Sequence, residues 1–385
     1  MIKLSKRISA VTPSGTIMLD QLAKQLITTG KPVINLTAGE LSNNPDAQVI
    51  TVAQQALQQD CHHYSAVAGM PLLREAIANY LLETQQLAYQ PNQILITNGV
   101  KQAIYTCLQG LLNEGDEVII LLPAWVSYIE QIKLAGGKPV FVHTTATFHL
   151  DSSAIARAIT PKTKGVIINS PNNPTGAVYS KFELQELVPI IQQHQLWVLS
   201  DEVYEQLYFT KEHKPCSIAT LLPDQTIIVN GISKCSAMTG WRLGFIAAPV
   251  FLINALTALQ SHLCGNVANI VQIAAKTAIT LIPKTSARYR ASLNKQRTAI
   301  KQWVKQETRI TLQLPQGAFY AFINITSVTT DSVVFCERLL AKYQVALVPG
   351  KFFGQDGFVR LSFTKAVPML QTALERLTQC LDDYK

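Results

Sequence analysis

Short apolar runs recur through the middle of the chain, separated by amphipathic segments. Residues 94–97, 118–122, 166–169, 196–200, 226–230 and 244–247 are apolar without alternation. That pattern suits strands covered on both faces by helices. Helical periodicity fills the gaps, as at 101–112 and 181–194. The alternation predicts an α/β fold with a mainly parallel sheet flanked by helices. The tail reads differently: a long polar-faced helix at 284–305, strands at 310–314 and 319–325, a helix at 331–343, a strand at 358–362 and a last helix. A chain of 385 residues is long for one core. Residues 46–284 are therefore expected to form a large domain, and 1–45 with 285–385 a smaller α+β domain. A cleft between two closely packed domains is where a ligand is expected.

Composition narrows the classes. No apolar run approaches the ~18 residues that cross a membrane. Residues 1–10 carry Lys3, Lys6 and Arg7 without the apolar centre of a secretory signal, so a soluble, cytoplasmic protein is expected. Seven cysteines, at 61, 107, 216, 235, 264, 336 and 380, are odd in number and lack Cys-x-x-Cys spacing, which argues against a disulfide framework and against a zinc site. No metal is expected. The formal charge of +8 comes from dispersed bases rather than one basic face, so nucleic acid is not the expected partner. Anionic small molecules explain the balance better.

The chemistry lies where predicted strands end. Lys234 follows the strand at 226–230, flanked by Ser233 and followed by Arg242. Its amine can form an imine with an aldehyde while the hydroxyl and guanidinium hold a phosphate of the same molecule; an isolated Ser-Lys pair would be a surface loop. Asp201 ends the strand at 196–200, where ligands of open parallel sheets bind. There it can keep a pyridine nitrogen protonated, although a helix cap is the bland alternative. Tyr204 can donate to a phenolic oxygen on that ring. Asn173 sits in the turn Asn172-Asn173-Pro174-Thr175-Gly176. Trp125 offers a flat face for a heteroaromatic ring, with core packing as its competing role. Val100 and Lys101 open a helix whose free N–H groups suit a phosphate. Arg360 is a lone charge in an apolar strand and needs an anionic partner such as a carboxylate.

These segments resemble the class I pyridoxal-phosphate aminotransferases, the aspartate aminotransferase-like family of fold type I. Residues 231–244 match the family's lysine-attachment signature. Ser170-Pro171-Asn172-Asn173-Pro174-Thr175-Gly176, Ser200-Asp201-Glu202-Val203-Tyr204 and Val359-Arg360-Leu361-Ser362 fall in family order, as do residues 64–74 and Gly317-Ala318-Phe319-Tyr320. The resemblance implies pyridoxal 5'-phosphate as cofactor, with Lys234 as its attachment point and as the base that moves the substrate Cα proton. It gives Asp201 to the ring nitrogen, Tyr204 and Asn173 to the phenolic oxygen, and Trp125 to the ring face. Ser233, Arg242 and the backbone of Val100 and Lys101 would hold the phosphate. Tyr64 would reach the phosphate of a neighbouring subunit, implying a homodimer with shared sites. Arg360, helped by the Gly39 backbone, would bind the substrate α-carboxylate, with Trp125 and Asn173 beside it.

An amino acid and a 2-oxo acid are then the substrates. Lys101 and Thr16 resemble the distal-carboxylate contacts of the aspartate and prephenate branch, which favours aspartate or glutamate. Against this, Leu41 and Asn43 replace a proline and an aromatic expected at the mouth of the site, and Ala124 replaces a bulkier residue. An aromatic or other amino-acid aminotransferase, or a C–S β-lyase of the same fold, stays open. As a base Lys234 must be neutral at working pH, so burial and nearby positive charge are expected to depress its pKa.

Overall fold

The computed structural model describes residues 2–59 and 61–384; Met1 and Lys385, at the ends of the expected small domain, and Asp60 lie outside the described residues. A short strand β1 (Ile34–Asn35) precedes seven strands in the middle of the chain. They are β2 (Ile94–Thr97), β3 (Glu117–Leu122), β4 (Lys138–His143), β5 (Thr163–Asn169), β6 (Trp197–Asp201), β7 (Thr226–Gly231) and β8 (Gly244–Ala247). These form one sheet in the order β2-β8-β7-β6-β5-β3-β4. Every pairing from β4 across to β7 is parallel, and β8 runs against both of its neighbours.

Successive side chains along these strands enter different cores. In β3, Val118 and Ile120 join one apolar cluster, while Ile119 and Leu121 join another on the opposite face. Helices cover both faces, which is why the strands read as unbroken apolar runs. β4 is the strand that this pattern passes over. It lies at the sheet edge, buries only Val142 and contains Pro139, which has no N–H to give to a ladder.

In the tail, β9 (Thr311–Leu312), β10 (Tyr320–Asn324), β12 (Val348–Pro349) and β13 (Phe358–Ser362) form an antiparallel sheet in the order β12-β13-β10-β9. β11 (Val345–Ala346) pairs in parallel with β1, joining the two ends of the chain. The long helix spans Asn269–Gln306, so it begins well before the expected 284. Its first part buries Ala274, Ala275, Ala278, Ile279 and Ile282 and has no charged face to reveal its period, and Pro283 lies inside it. Among the described residues, no helix is long and apolar enough to cross a membrane.

Candidate active site

The carboxyl ends of the parallel strands open on a cavity of about 540 Å³. Asn169 and Asp201 sit side by side at the ends of β5 and β6. The Asn169 amide donates to the Asp201 carbonyl at 3.0 Å, and its oxygen accepts from the Asn173 N–H at 2.9 Å. One asparagine thus fixes the Asn173 turn to the strand that carries Asp201.

Asp201 is buried at the base of the cavity. Tyr128 donates its hydroxyl to Oδ2 at 2.6 Å and the Val203 N–H points at Oδ1 at 3.3 Å. Burial pushes the Asp201 pKa up, to about 6, against those bonds and the attraction of Lys234. Tyr128 was not singled out in the sequence, although it stands three residues after Trp125; a buried tyrosine in a helix reads as core. Its ring meets Trp125 edge-on at 5.3 Å, so it braces both the carboxylate and the indole. Tyr128→Phe deprives a buried carboxylate of a donor, worth roughly 1–3 kcal/mol. The Asp201 pKa is expected to rise, which the pH dependence of urea unfolding of the variant would show.

Lys234 follows β7 in a one-turn helix, Ile232–Cys235. Its amine donates to the Gly39 carbonyl and lies 5.9 Å from the Tyr204 ring centre. A Cβ on Gly39 would come within 2.7 Å of the Tyr320 hydroxyl, so that backbone approach requires glycine. Burial, aided by Arg360 and Arg242, depresses the Lys234 pKa to about 8, against Glu40 and Asp201. The Tyr204 and Tyr320 hydroxyls share a hydrogen bond of 2.8 Å. Tyr320 ends the Gly317-Ala318-Phe319-Tyr320 motif, which by itself assigns the tyrosine no role.

An anion-binding corner lies beside the lysine. Gly99, at φ +82°, caps the helix Val100–Leu111 without any side-chain cap. A Cβ there would strike the Arg242 guanidinium, which also donates to the Thr239 carbonyl at 2.8 Å. Arg242 and the first turn of the helix therefore converge, with the buried Ser233 lining the same cavity.

Two cations in the cavity wall rest on aromatic faces instead of carboxylates. Arg360 is buried in β13, 4.5 Å from the Tyr320 ring centre and 5.0 Å from that of Phe353. It donates to the Asn173 side-chain oxygen at 2.9 Å and the Thr37 carbonyl at 2.6 Å, and its buried Nε has no partner. Lys101 lies 5.0 Å over Trp125, its pKa lowered by burial and then by Arg242. Among the described residues, neither forms a salt bridge.

The cavity brings together Thr16, Gly39, Val100, Lys101, Trp125 and Asn173 with Asp201, Tyr204, Ser233, Lys234, Arg242 and Arg360. Tyr64 does not join them; it is 99% exposed and away from the cavity. Leu41 and Asn43 also differ from expectation. Leu41 turns into the main core, Asn43 is exposed, and neither lines the cavity, while Ala124 is buried behind it. The apolar Leu41 is drawn from the entrance by burial. Asp20, Lys24 and Glu40 line the wall with no earlier sign.

The residues fit a phosphorylated pyridine aldehyde. A carboxylate lacking a fixed cation lies at the base, an amine of lowered pKa stands beside it, and an arginine and helix terminus form the anion corner. Fold and site together set a buried amine of lowered pKa, a buried carboxylate and anion-binding groups in one cavity at the strand ends. A family model described as aminotransferase class I and II matches residues 31–377. The chain is 40% identical to an aspartate aminotransferase of Geobacillus stearothermophilus, covering 99% of both. It is 37% identical to an aspartate/prephenate aminotransferase of Thermus thermophilus, covering 98% of both. A solved Thermus thermophilus aspartate aminotransferase with maleate superposes with a TM-score of 0.94 at 37% identity, over 99% of this chain and 100% of that one. The chain belongs to the class I and II aminotransferases and is an aminotransferase.

Proposed function

We propose that this aminotransferase uses pyridoxal 5'-phosphate to move the amino group of aspartate or glutamate to a 2-oxo acid. The observation that carries the substrate reading is the pair of cavity cations, Arg360 and Lys101, held on aromatic rings with no carboxylate of the described residues against them. A dicarboxylic amino acid supplies two anions to such a wall. The relatives named aspartate aminotransferases support the same reading.

The cofactor, when bound, supplies an electron sink for the substrate Cα. Arg360 binds the α-carboxylate through its planar fork, with Asn173 and the Thr37 carbonyl fixing its orientation. Lys101 and Thr16 meet the distal carboxylate. Trp125 would cover the ring face, Tyr204 and Asn173 would meet the phenolic oxygen, and Ser233, Arg242 and the Val100 and Lys101 amides would hold the phosphate. Asp201 would keep a proton on the ring nitrogen, and Lys234 Nζ would take the Cα proton and return it. Residues 46–284 serve as the large domain, with the two ends of the chain forming the small one. A second copy of the chain completes the site, bringing its exposed Tyr64 to the phosphate corner.

The lysine must be neutral to accept a proton, and its pKa is about 8. The rate of the amino half-reaction is therefore expected to rise with pH through the region near 8 and then level off. A stopped-flow profile flat from pH 6 to 10 contradicts Lys234 as the base. A panel of single amino acids, each tested for 2-oxo acid formation, tests the substrate. Reaction with aromatic but not dicarboxylic donors sinks the role given to Lys101.

A further inference from the structure

The helix Gly15–Thr28 brings Thr16, Ile17, Asp20 and Lys24 to the cavity wall. It is held loosely by apolar contact. Ala23 is its one buried residue, and Ile17, Met18, Leu22 and Ile27 are exposed. Ala23 and the half-buried Leu26 give it only a small apolar contact. At the first turn the Phe352 ring fills the space where a Cβ of Gly15 would stand, 2.6 Å from Cζ. Further along, a polar chain takes over. Asp20 Oδ1 accepts from the Asn35 amide at 2.8 Å and lies 3.1 Å from the Thr37 hydroxyl. The Asn35 side-chain oxygen accepts from the Thr37 N–H at 2.9 Å. The Thr37 carbonyl is the acceptor of the Arg360 guanidinium. Lys24 pairs with Asp20 at 2.7 Å on the outer side. Burial alone raises the Asp20 pKa, but the bonds from Lys24 and Asn35 outweigh it and lower it, so the carboxylate is charged at neutral pH.

We propose that Asp20 is a positioning residue: through Asn35 and Thr37 it locks the Gly15–Thr28 helix to the backbone that holds Arg360. Thr16 rides on that helix, so the contacts to the two ends of a dicarboxylic substrate are set together. This rests on the dicarboxylic reading above. Asp20 stands in the cavity wall with its carboxylate taken up by Asn35, Thr37 and Lys24, so it acts through Thr37 and Thr16. Its loss therefore weakens substrate binding more than it slows the proton transfer at Lys234.

The test compares wild type, Asp20→Ala and Asp20→Asn holoenzymes, with aspartate and alanine as donors, and adds amide hydrogen exchange. In Asp20→Ala the KM for aspartate is expected to rise about tenfold, equivalent to ~1.4 kcal/mol, with kcat within about twofold. Alanine has no distal carboxylate, so its KM should rise less and discrimination should narrow. Asp20→Asn keeps an acceptor for Asn35 and Thr37 and should restore most of the difference. Exchange in Asp20→Ala should quicken both at 15–28 and at 36–39. Equal KM changes for both donors, no rescue by asparagine, or faster exchange at 15–28 alone overturns the proposal. A wild-type enzyme with no preference for aspartate over alanine instead overturns the substrate reading. Exchange at 36–39 then still decides whether Asp20 acts on the backbone that holds Arg360.

Discussion

Lys234→Ala is expected to lower kcat for amino transfer by about 10⁴-fold, the upper range for loss of a positioned base. The groups that hold the ring and the carboxylate are poor replacements. Asp201 is engaged by Tyr128 at the base of the cavity, and burial, first, raises the Tyr204 and Tyr320 hydroxyls above their ordinary range. A guanidinium has no neutral form near neutral pH, so Arg360 is no base. Lys234→Arg separates the two ways a lysine here can act. It keeps a cation at the same place but has no neutral form, so it should be as inactive as the alanine variant. If arginine retained more than a few per cent of the rate, the lysine's role would be electrostatic. Both variants keep Arg242, Asp201 and Arg360, so a non-reacting dicarboxylate such as succinate should still bind, which guards against mistaking misfolding for lost chemistry.

How far the site could be read from residues alone depended on how each one was anchored. Asp201, Asn173 and Lys234 follow apolar strands, and a parallel sheet delivers the residue after each strand to the same rim. Their meeting was legible once the strands were. Arg360 was legible because a charge in an apolar strand is costly without an anion. Tyr128 and Tyr320 were hidden by the opposite logic: buried tyrosines cost little, so nothing in the sequence separates one that holds Asp201 from one that fills space. Asp20 was hidden because its partners, Asn35 and Thr37, come from another element and carry no pattern of their own. Leu41 misled because a residue's place in a motif does not fix which way it turns. The edge strand β4 and the buried start of the long helix escaped for a shared reason: each has a burial pattern unlike that of the elements around it.

Asp201→Asn is expected to act in opposite directions on the empty and the loaded protein. The substitution keeps the shape and leaves an oxygen for the Tyr128 hydroxyl, but removes the charge. In the cofactor-free chain that charge is a burden, since burial raises the pKa from 3.8 to about 6. A carboxyl that binds its proton more tightly when folded makes the fold lose stability as pH rises from 3.8 through about 6, on the order of 3 kcal/mol in all. Asparagine does not titrate, so the cofactor-free variant should be more stable than wild type above pH 6 and equal to it near pH 3, as urea unfolding would show. A protonated pyridine nitrogen would give the carboxylate a close cation, and the burden would become the interaction that keeps the ring protonated. The holoenzyme variant should then lose about 10²–10³-fold in kcat, the loss expected for one preorganised electrostatic group. Cofactor binding in wild type should tighten as pH rises through 6, and in Asp201→Asn that step should vanish. A variant whose empty form is no more stable, or whose cofactor affinity keeps the wild-type step, would show that the burial of Asp201 is answered by something other than the ring nitrogen.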